Sequence, residues 1–133
     1  MTGLESPAML LFETTPKPVI IHDGVVIFHA NPAALRLFRY PSVEAMQRVG
    51  IAAIIADKSR DLSDDRVTTL RSRPYQNLPD ARLLMVRADR SCFWATVKTY
   101  SGHWMLEALQ GHEAVVDIVF FSSAENVVDD NCG

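Results

Sequence analysis

The segment from Val19 to Tyr40 constrains this chain more than any other. Two short apolar runs, Val19 to Ile21 and Val25 to Phe28, flank Asp23-Gly24, and Asn31-Pro32 then leads into Ala33 to Phe38. Asp-Gly favours the positive φ angles of a tight hairpin turn, so the two runs read as paired strands. Asn31 makes a good helix N-cap, because its side-chain oxygen can accept an unpaired amide of the first turn. Pro32 suits the first helical position, where no N–H is needed. Ala34, Leu35 and Phe38 then fall at helical spacing. Strand, turn, strand and capped helix open a small α+β fold. A two-residue turn puts Val19 and Ile21 on one sheet face with Val26 and Phe28, and Ile20 and His22 on the other with Val25 and Ile27. Both faces are apolar, so both need cover.

The rest of the chain reads as short helices and then strands. Ser6 can cap a helix containing Met9-Leu10-Leu11-Phe12 that Thr14 to Pro18 breaks. Ser42 caps another, with Glu44 near its positive end and Gly50 to terminate it. Ile51 to Ala56 is a short apolar turn or helix, and Asp57 to Asp65 reads as an exposed polar loop. Ser63 is the expected cap of a fourth helix through Arg71, which Pro74 stops. Ala81 to Ala88, Ser91 to Tyr100 and His103 to Gln110 are expected strands, with two-residue turns at Asp89-Arg90 and Ser101-Gly102. That register gives a core face of Leu84, Val86, Phe93, Ala95, Val97, Trp104, Leu106 and Ala108. The opposite face carries Leu83, Met85, Trp94, Thr96, Lys98, Tyr100, Met105, Glu107 and Leu109. Ala114 to Phe121 is apolar and β-branched. Three readings stay open for it: the start of a helix, an additional strand, or the true last strand. Ser122 to Gly133 is a polar tail.

Composition excludes several classes. The chain has 133 residues, 48% hydrophobic, with a formal net charge of −3, which suits one globular domain and gives no footprint for nucleic acid. No apolar run approaches the ~20 residues that span a bilayer, and Met1 to Glu5 lacks the basic start of a secretory signal. Cys92 and Cys132 match neither a disulfide framework nor a zinc site, so a reducing cytoplasm is the expectation. His22, His29, His103 and His112 form no His-x-x-x-His or Glu-x-x-His pair, and structural or surface roles are expected of them. Asp57, Asp61, Asp64 and Asp65 fit neither an EF-hand nor a paired-carboxylate site. No nucleophile elbow or phosphate-binding glycine motif occurs, so catalysis by this chain is not expected.

The order of these pieces resembles the PAS domain family. The family opens with a strand, an Asp-Gly turn, a strand ending in Asn-Pro/Ala-Ala, and a helix ending near Gly-Tyr. Arg39 stands here where that glycine would. The resemblance continues through Ser42 to Met46 and Ile51 to Ile55. It resumes at Arg87-Ala88-Asp89-Arg90-Ser91-Cys92-Phe93-Trp94, with Arg90 in place of a glycine. It covers roughly residues 15–110. It implies an α+β fold: a five-stranded antiparallel sheet with short helices on one face and an N-terminal helix or dimer partner on the other. The expected organisation is a flanking helix in 1–17, a core in 18–111 and an extension in 112–133.

Function follows as expectation. Haem-binding relatives present a histidine from the helix before the central strands, and Asp61 to Arg73 contains none. Light-sensing flavin relatives and photoactive-yellow relatives need a cysteine near the middle helices, and none occurs between Met1 and Ser91. No cofactor is therefore expected. Ala95 beside Ala108, framed by Phe93, Val97 and Leu106, could leave room for a small apolar ligand. The candidate pocket is Phe38, Ile54, Ile55, Val86, Phe93, Ala95, Leu106 and Ala108; the alternative is that Phe38, Ile54 or Ile55 fills the space. Met9, Leu10, Phe12, Trp94, Tyr100 and Met105 are the candidate interface of a homodimer or of a signalling partner. The leading reading is a sensory and dimerisation module of a cytoplasmic histidine kinase or cyclic-dinucleotide enzyme. The alternatives are an interaction domain without a ligand, and a small isomerase-like enzyme.

Overall fold

A computed structural model describes residues 7–72, 78–105 and 113–127. The elements in chain order are α1 (Pro7–Thr14), β1 (Val19–His22), β2 (Ile27–Ala30), α2 (Pro32–Phe38) and α3 (Val43–Val49). A 3₁₀ turn (Ile51–Ile54), α4 (Asp57–Ser72), β3 (Ala81–Val86), β4 (Cys92–Met105) and β5 (Glu113–Asn126) follow. The five strands form one sheet of order β2-β1-β5-β4-β3, and the four pairings between neighbours are antiparallel. The expected α+β architecture is the one observed.

Asn31 caps α2 as its sequence position predicts, its Oδ1 accepting from the Ala34 amide at 3.0 Å. The same oxygen accepts from the Val19 amide at 3.0 Å. The side-chain amide of Asn31 donates to the carbonyls of Phe12 (3.0 Å) and Lys17 (2.9 Å). This fully buried residue therefore joins the end of α1, the start of β1 and the start of α2. Ser42 caps α3 through the Ala45 amide, and Gly50 ends it. Arg39 ends α2 at φ 62°, a left-handed conformation that an L side chain adopts at a cost.

Three expectations about turns are corrected. The first hairpin is longer than two residues: His22 pairs with Ile27, and Ile21 with His29 across an irregularity. The Asp23 carboxylate accepts from the amides of Val25 (2.9 Å) and Val26 (2.7 Å), which winds those residues into the loop and leaves both valines exposed.

The second hairpin is a three-residue loop. The Arg90 amide donates to the Arg87 carbonyl and the Arg87 amide to the Ser91 carbonyl, with Arg90 at φ 73°. A β-turn followed by a left-handed residue adds one position compared with a two-residue turn. Phe93 consequently pairs with Met85 and Cys92 with Val86. A one-residue slip exchanges the faces, so Leu83 and Met85 join the main core while Leu84 and Val86 do not.

There is no turn at Ser101-Gly102. β4 runs through it to Met105, and Ser101 and Gly102 pair with Asp117 and Val116 of β5. Residues 113–126 thus supply the middle strand, although the expected core ended at residue 111. The β-branched run Val115 to Val119 suits that place, which is covered on both faces. The expected strand 103–110 survives only as the end of β4; residues 106–112 lie outside the described residues.

The helix expected from Ser63 begins instead at Asp57. Tertiary contacts override its polar composition. The Ser59 hydroxyl accepts from the Leu84 amide (2.8 Å), the Ala56 amide donates to the Leu84 carbonyl (2.9 Å), and Arg60 donates to the carbonyls of Ala52 and Ile55. Asp57, Asp61, Asp64 and Asp65 are exposed, as a solvated acidic face should be. The main core lies between the sheet and the helices, with Phe38 edge-on to Phe93 and Phe121 at ring separations of 5.3 Å each. Arg87, buried, closes the second hairpin onto this core. Its guanidinium sits 4.3 Å from the Phe93 ring and donates to the Leu37 carbonyl and the Asn126 amide oxygen.

Candidate functional site

Alternation along β1, β4 and β5 sends one set of side chains towards α4. Val119 lies opposite both Ile20 and Thr99, and Phe121 lies opposite Val97. At the end of this row His22 of β1 lies opposite Asp117 of β5, and Asp117 lies opposite Ser101 of β4. The row is apolar near Phe121 and polar near Asp117. α4 crosses above it, and among its described side chains Ser59 and Leu70 are the buried ones.

Between α4 and the sheet is a cavity of about 30 Å³. Its apolar wall includes Leu70, Leu83, Met85 and Phe121; its polar wall comprises His22, Ser63, Arg66, Thr99 and Asp117. A space of that size takes a water or two. Arg66 donates to the Pro79 carbonyl (2.7 Å) and the Thr99 hydroxyl (3.3 Å). Burial pulls the Arg66 guanidinium below its ordinary range, and the Asp80 carboxylate opposes that. Asp117 is wholly buried, with Oδ2 3.9 Å from His22 Nδ1. His22 Nδ1 in turn accepts from the Gly24 amide at 2.9 Å. The Ser101 hydroxyl is buried and makes no hydrogen bond among the described residues. Polar atoms along one wall of an apolar space favour a small hydrogen-bonding occupant.

Of the residues predicted to line a pocket, Ile55 borders this cavity. Phe38, Ile54, Phe93 and Ala95 are brought together, but as packed core. Ala95 lies opposite Leu83 in the β3–β4 pairing, and Phe38 packs edge-on to neighbouring Phe93. Val86 lies on the other face, beside Ala56, Leu84 and Cys92, which corrects its assignment to the pocket. Leu106 and Ala108 lie outside the described residues. Sequence reading missed Ser63, Arg66, Thr99 and Asp117. Asp117 carried a signal, a single acid within Ala114 to Phe121. Cys92 is disulfide-bonded, which departs from the expectation of cysteines outside any disulfide; its partner lies outside the described residues.

The outer sheet face carries a second apolar space. α1 lies against Val19, Ile21, Ile118 and Phe120, leaving a groove of about 310 Å³ lined also by Leu11, Phe12 and Thr15. The Phe12 ring stacks on His29 at 5.0 Å, and the Glu13 carboxylate lies 2.5 Å from His29 Nε2. Leu10 and Leu11 project into solvent, 57% and 71% exposed. Of the expected interface residues, Phe12 is half-buried under its own helix and Tyr100 is exposed. Trp94 is half-buried with Arg82 over its ring. The side chains of Met9 and Met105 lie outside the described residues.

A 2-1-5-4-3 antiparallel sheet with short helices over one face and an N-terminal helix on the other is the architecture of PAS domains. Comparison with known proteins agrees. A family model described as PAS domain matches residues 9–73. The fold is similar to the PAS domain of nitrogen regulation protein NR(II) from Vibrio parahaemolyticus, at 20% identity and a TM-score of 0.60, covering 89% of this chain and 98% of that one. It is similar to a PAS domain from a two-component sensor histidine kinase, at 14% identity and a TM-score of 0.59, covering 90% and 93%. A third is the PAS domain, in complex with ethanol, of a LuxR-family transcriptional regulator from Burkholderia thailandensis, at 16% identity and a TM-score of 0.60, covering 90% and 96%. No curated protein matches the sequence. Residues 9–73 thus match the PAS domain family, and the fold of the described residues is that of a PAS domain.

Proposed function

We propose that this PAS domain is a sensory and dimerisation module of a signal-transduction protein, of histidine kinase or cyclic-dinucleotide enzyme type. The observation that carries the reading is the polar-walled cavity beneath α4. A helix of 16 residues with two buried side chains among those described can shift at low cost. Occupancy of the cavity then biases the position of α4, and a bias of a few kcal/mol is enough to move a two-state element. The domain itself performs no chemistry. It takes neither haem nor covalent flavin: α4 offers no histidine, and no cysteine precedes Cys92. A small occupant of a few heavy atoms suits a space of about 30 Å³; the similar Burkholderia thailandensis domain was solved with ethanol.

Pairing occurs through α1. Leu10 and Leu11 of one copy reach the outer face of the other, over the groove bordered by Ile118 and Phe120. Light scattering with native mass spectrometry tests both parts of the reading at tens of micromolar protein. The expected particle is twice the chain mass, reverting to one chain in the double variant Leu10→Ser, Leu11→Ser. A wild-type particle of one chain that also fails to retain any small molecule would remove the basis for the proposal.

A further inference from the structure

We propose that the groove between α1 and the outer sheet face binds the hydrocarbon chain of a fatty-acid-class anion, whose carboxylate is held by Lys17 and Lys98. The proposal goes beyond the sensory reading, and it needs neither the cavity beneath α4 nor the pairing of two copies.

The lining of the groove calls for a hydrocarbon. Six of its seven lining residues, among them Leu11, Val19, Ile21 and Ile118, are apolar. The seventh, Thr15, uses its hydroxyl oxygen to accept from the Lys17 amide at 3.3 Å. The backbones of β1 and β5 are engaged in pairing with each other. A peptide in this space would bury amides without partners, a cost that a plain hydrocarbon avoids. The volume of about 310 Å³ lies at the lower end of small-molecule sites. A water's share of liquid volume is about 30 Å³ and a methylene takes nearly as much, so the space suits a chain of about ten carbons. Leu11 lines the groove and is still largely exposed, so a bound chain buries apolar surface that the free domain leaves wet.

The charge beside the groove calls for an anionic head. Lys17 Nζ lies 5.9 Å from the centre of the Phe120 ring, which is part of the groove wall. Lys98 of β4 stands opposite Phe120 of β5, and residues opposite each other share a sheet face. Tyr100 holds the Phe120 ring edge-on at 5.9 Å. The Lys17 backbone is fixed by buried Asn31, whose side-chain amide donates to its carbonyl at 2.9 Å. Two ammoniums thus flank one aromatic wall, and neither makes an ion pair among the described residues. Of the carboxylates on α1 and β5 near this face, Glu13 pairs with His29 and Glu125 with Arg82. Free cations beside an apolar slot are complementary to a negative head on an apolar tail.

Titration of the wild-type chain with sodium decanoate below its micelle concentration, followed by methyl NMR, tests the site. The Leu11, Val19 and Ile118 methyls should shift together and saturate at one decanoate per chain. Octanoate should bind about fifteenfold more weakly, since each methylene removed loses about fourfold. The double variant Lys17→Gln, Lys98→Gln alters two exposed side chains and so keeps the fold. It should bind decanoate at least about threefold more weakly and decanol as tightly as the wild type does. Groove methyls that ignore decanoate overturn the proposal, and so do shifts confined to Leu70 and Met85, which would place the chain in the cavity on the other side of the sheet. Unchanged decanoate affinity in the lysine variant, or an equal loss for decanoate and decanol, overturns it as well. Groove methyls that respond to dilution of the protein and not to decanoate make a second copy the occupant, and the proposal falls.

Discussion

Replacing Asn31 tests whether one buried amide holds three elements together. Asn31→Ala removes the cap of α2, worth about 1 kcal/mol. It also strips the Val19 amide of its side-chain acceptor inside the core, a loss of about 1–3 kcal/mol. The carbonyls of Phe12 and Lys17 lose a donor too, but residues 12 and 17 are not fully buried and water can replace it. The sum is about 2–4 kcal/mol, a large share of a domain's total stability of roughly 5–15 kcal/mol. Asn31→Asp separates the contributions. A carboxylate still accepts from Ala34 and Val19 and favours the helix N-terminus, but it presents oxygen to two carbonyl oxygens. Asp should therefore free α1 while keeping α2. Urea unfolding measures the total, and amide exchange measured by mass spectrometry locates the loss. For Asp, exchange should rise in residues 10–17 and stay unchanged in 33–38. An Ala variant within about 0.5 kcal/mol of wild type would refute the reasoning, since that is the range of an inconsequential surface change.

Arg90→Gly should raise stability by up to about 1 kcal/mol, because it removes an L side chain from a left-handed position, and thermal unfolding would show it. Arg39→Gly should gain little, since the relief at its left-handed position is offset by loss of the pair with exposed Asp89. Gly24→Ala should cost about 1–3 kcal/mol through its φ of 99° and the contact with Val67. Unchanged urea midpoints would contradict that clash. The Asp89 carboxyl is held well below the usual carboxylate range by the Ser91 hydroxyl and amide and by Arg39. A depressed folded value means that its contribution is complete above about pH 4 and is lost as pH falls below it. Stability measured from pH 5 down to 2 should decline less steeply in Asp89→Asn than in wild type.

How far the sequence could be read depended on whether local chemistry or tertiary contact decided each element. Asn31, Ser42 and Gly50 act through neighbouring residues, and they begin or end helices where predicted. Arg90 misled the register because nothing in an arginine announces a left-handed backbone. One added loop residue then exchanged Leu84 and Val86 for Leu83 and Met85 on the core face. α4 was underestimated because its first turns are held by Leu84 and by Arg60 reaching back to the 3₁₀ turn, contacts that no periodicity reveals. The cavity's polar wall draws on β1, α4, β4 and β5, so only the folded chain assembles it.

The grip of Ser59 and Ala56 on Leu84 has a mechanical corollary. β3 is an outermost strand, and these two residues occupy backbone groups that another polypeptide would otherwise pair with. Lifting the whole of α4 would uncover a sticky border and invite aggregation. Ser59 and Ala56 thus guard the sheet as well as anchor the helix, and the border stays sealed for as long as their hydrogen bonds to Leu84 hold.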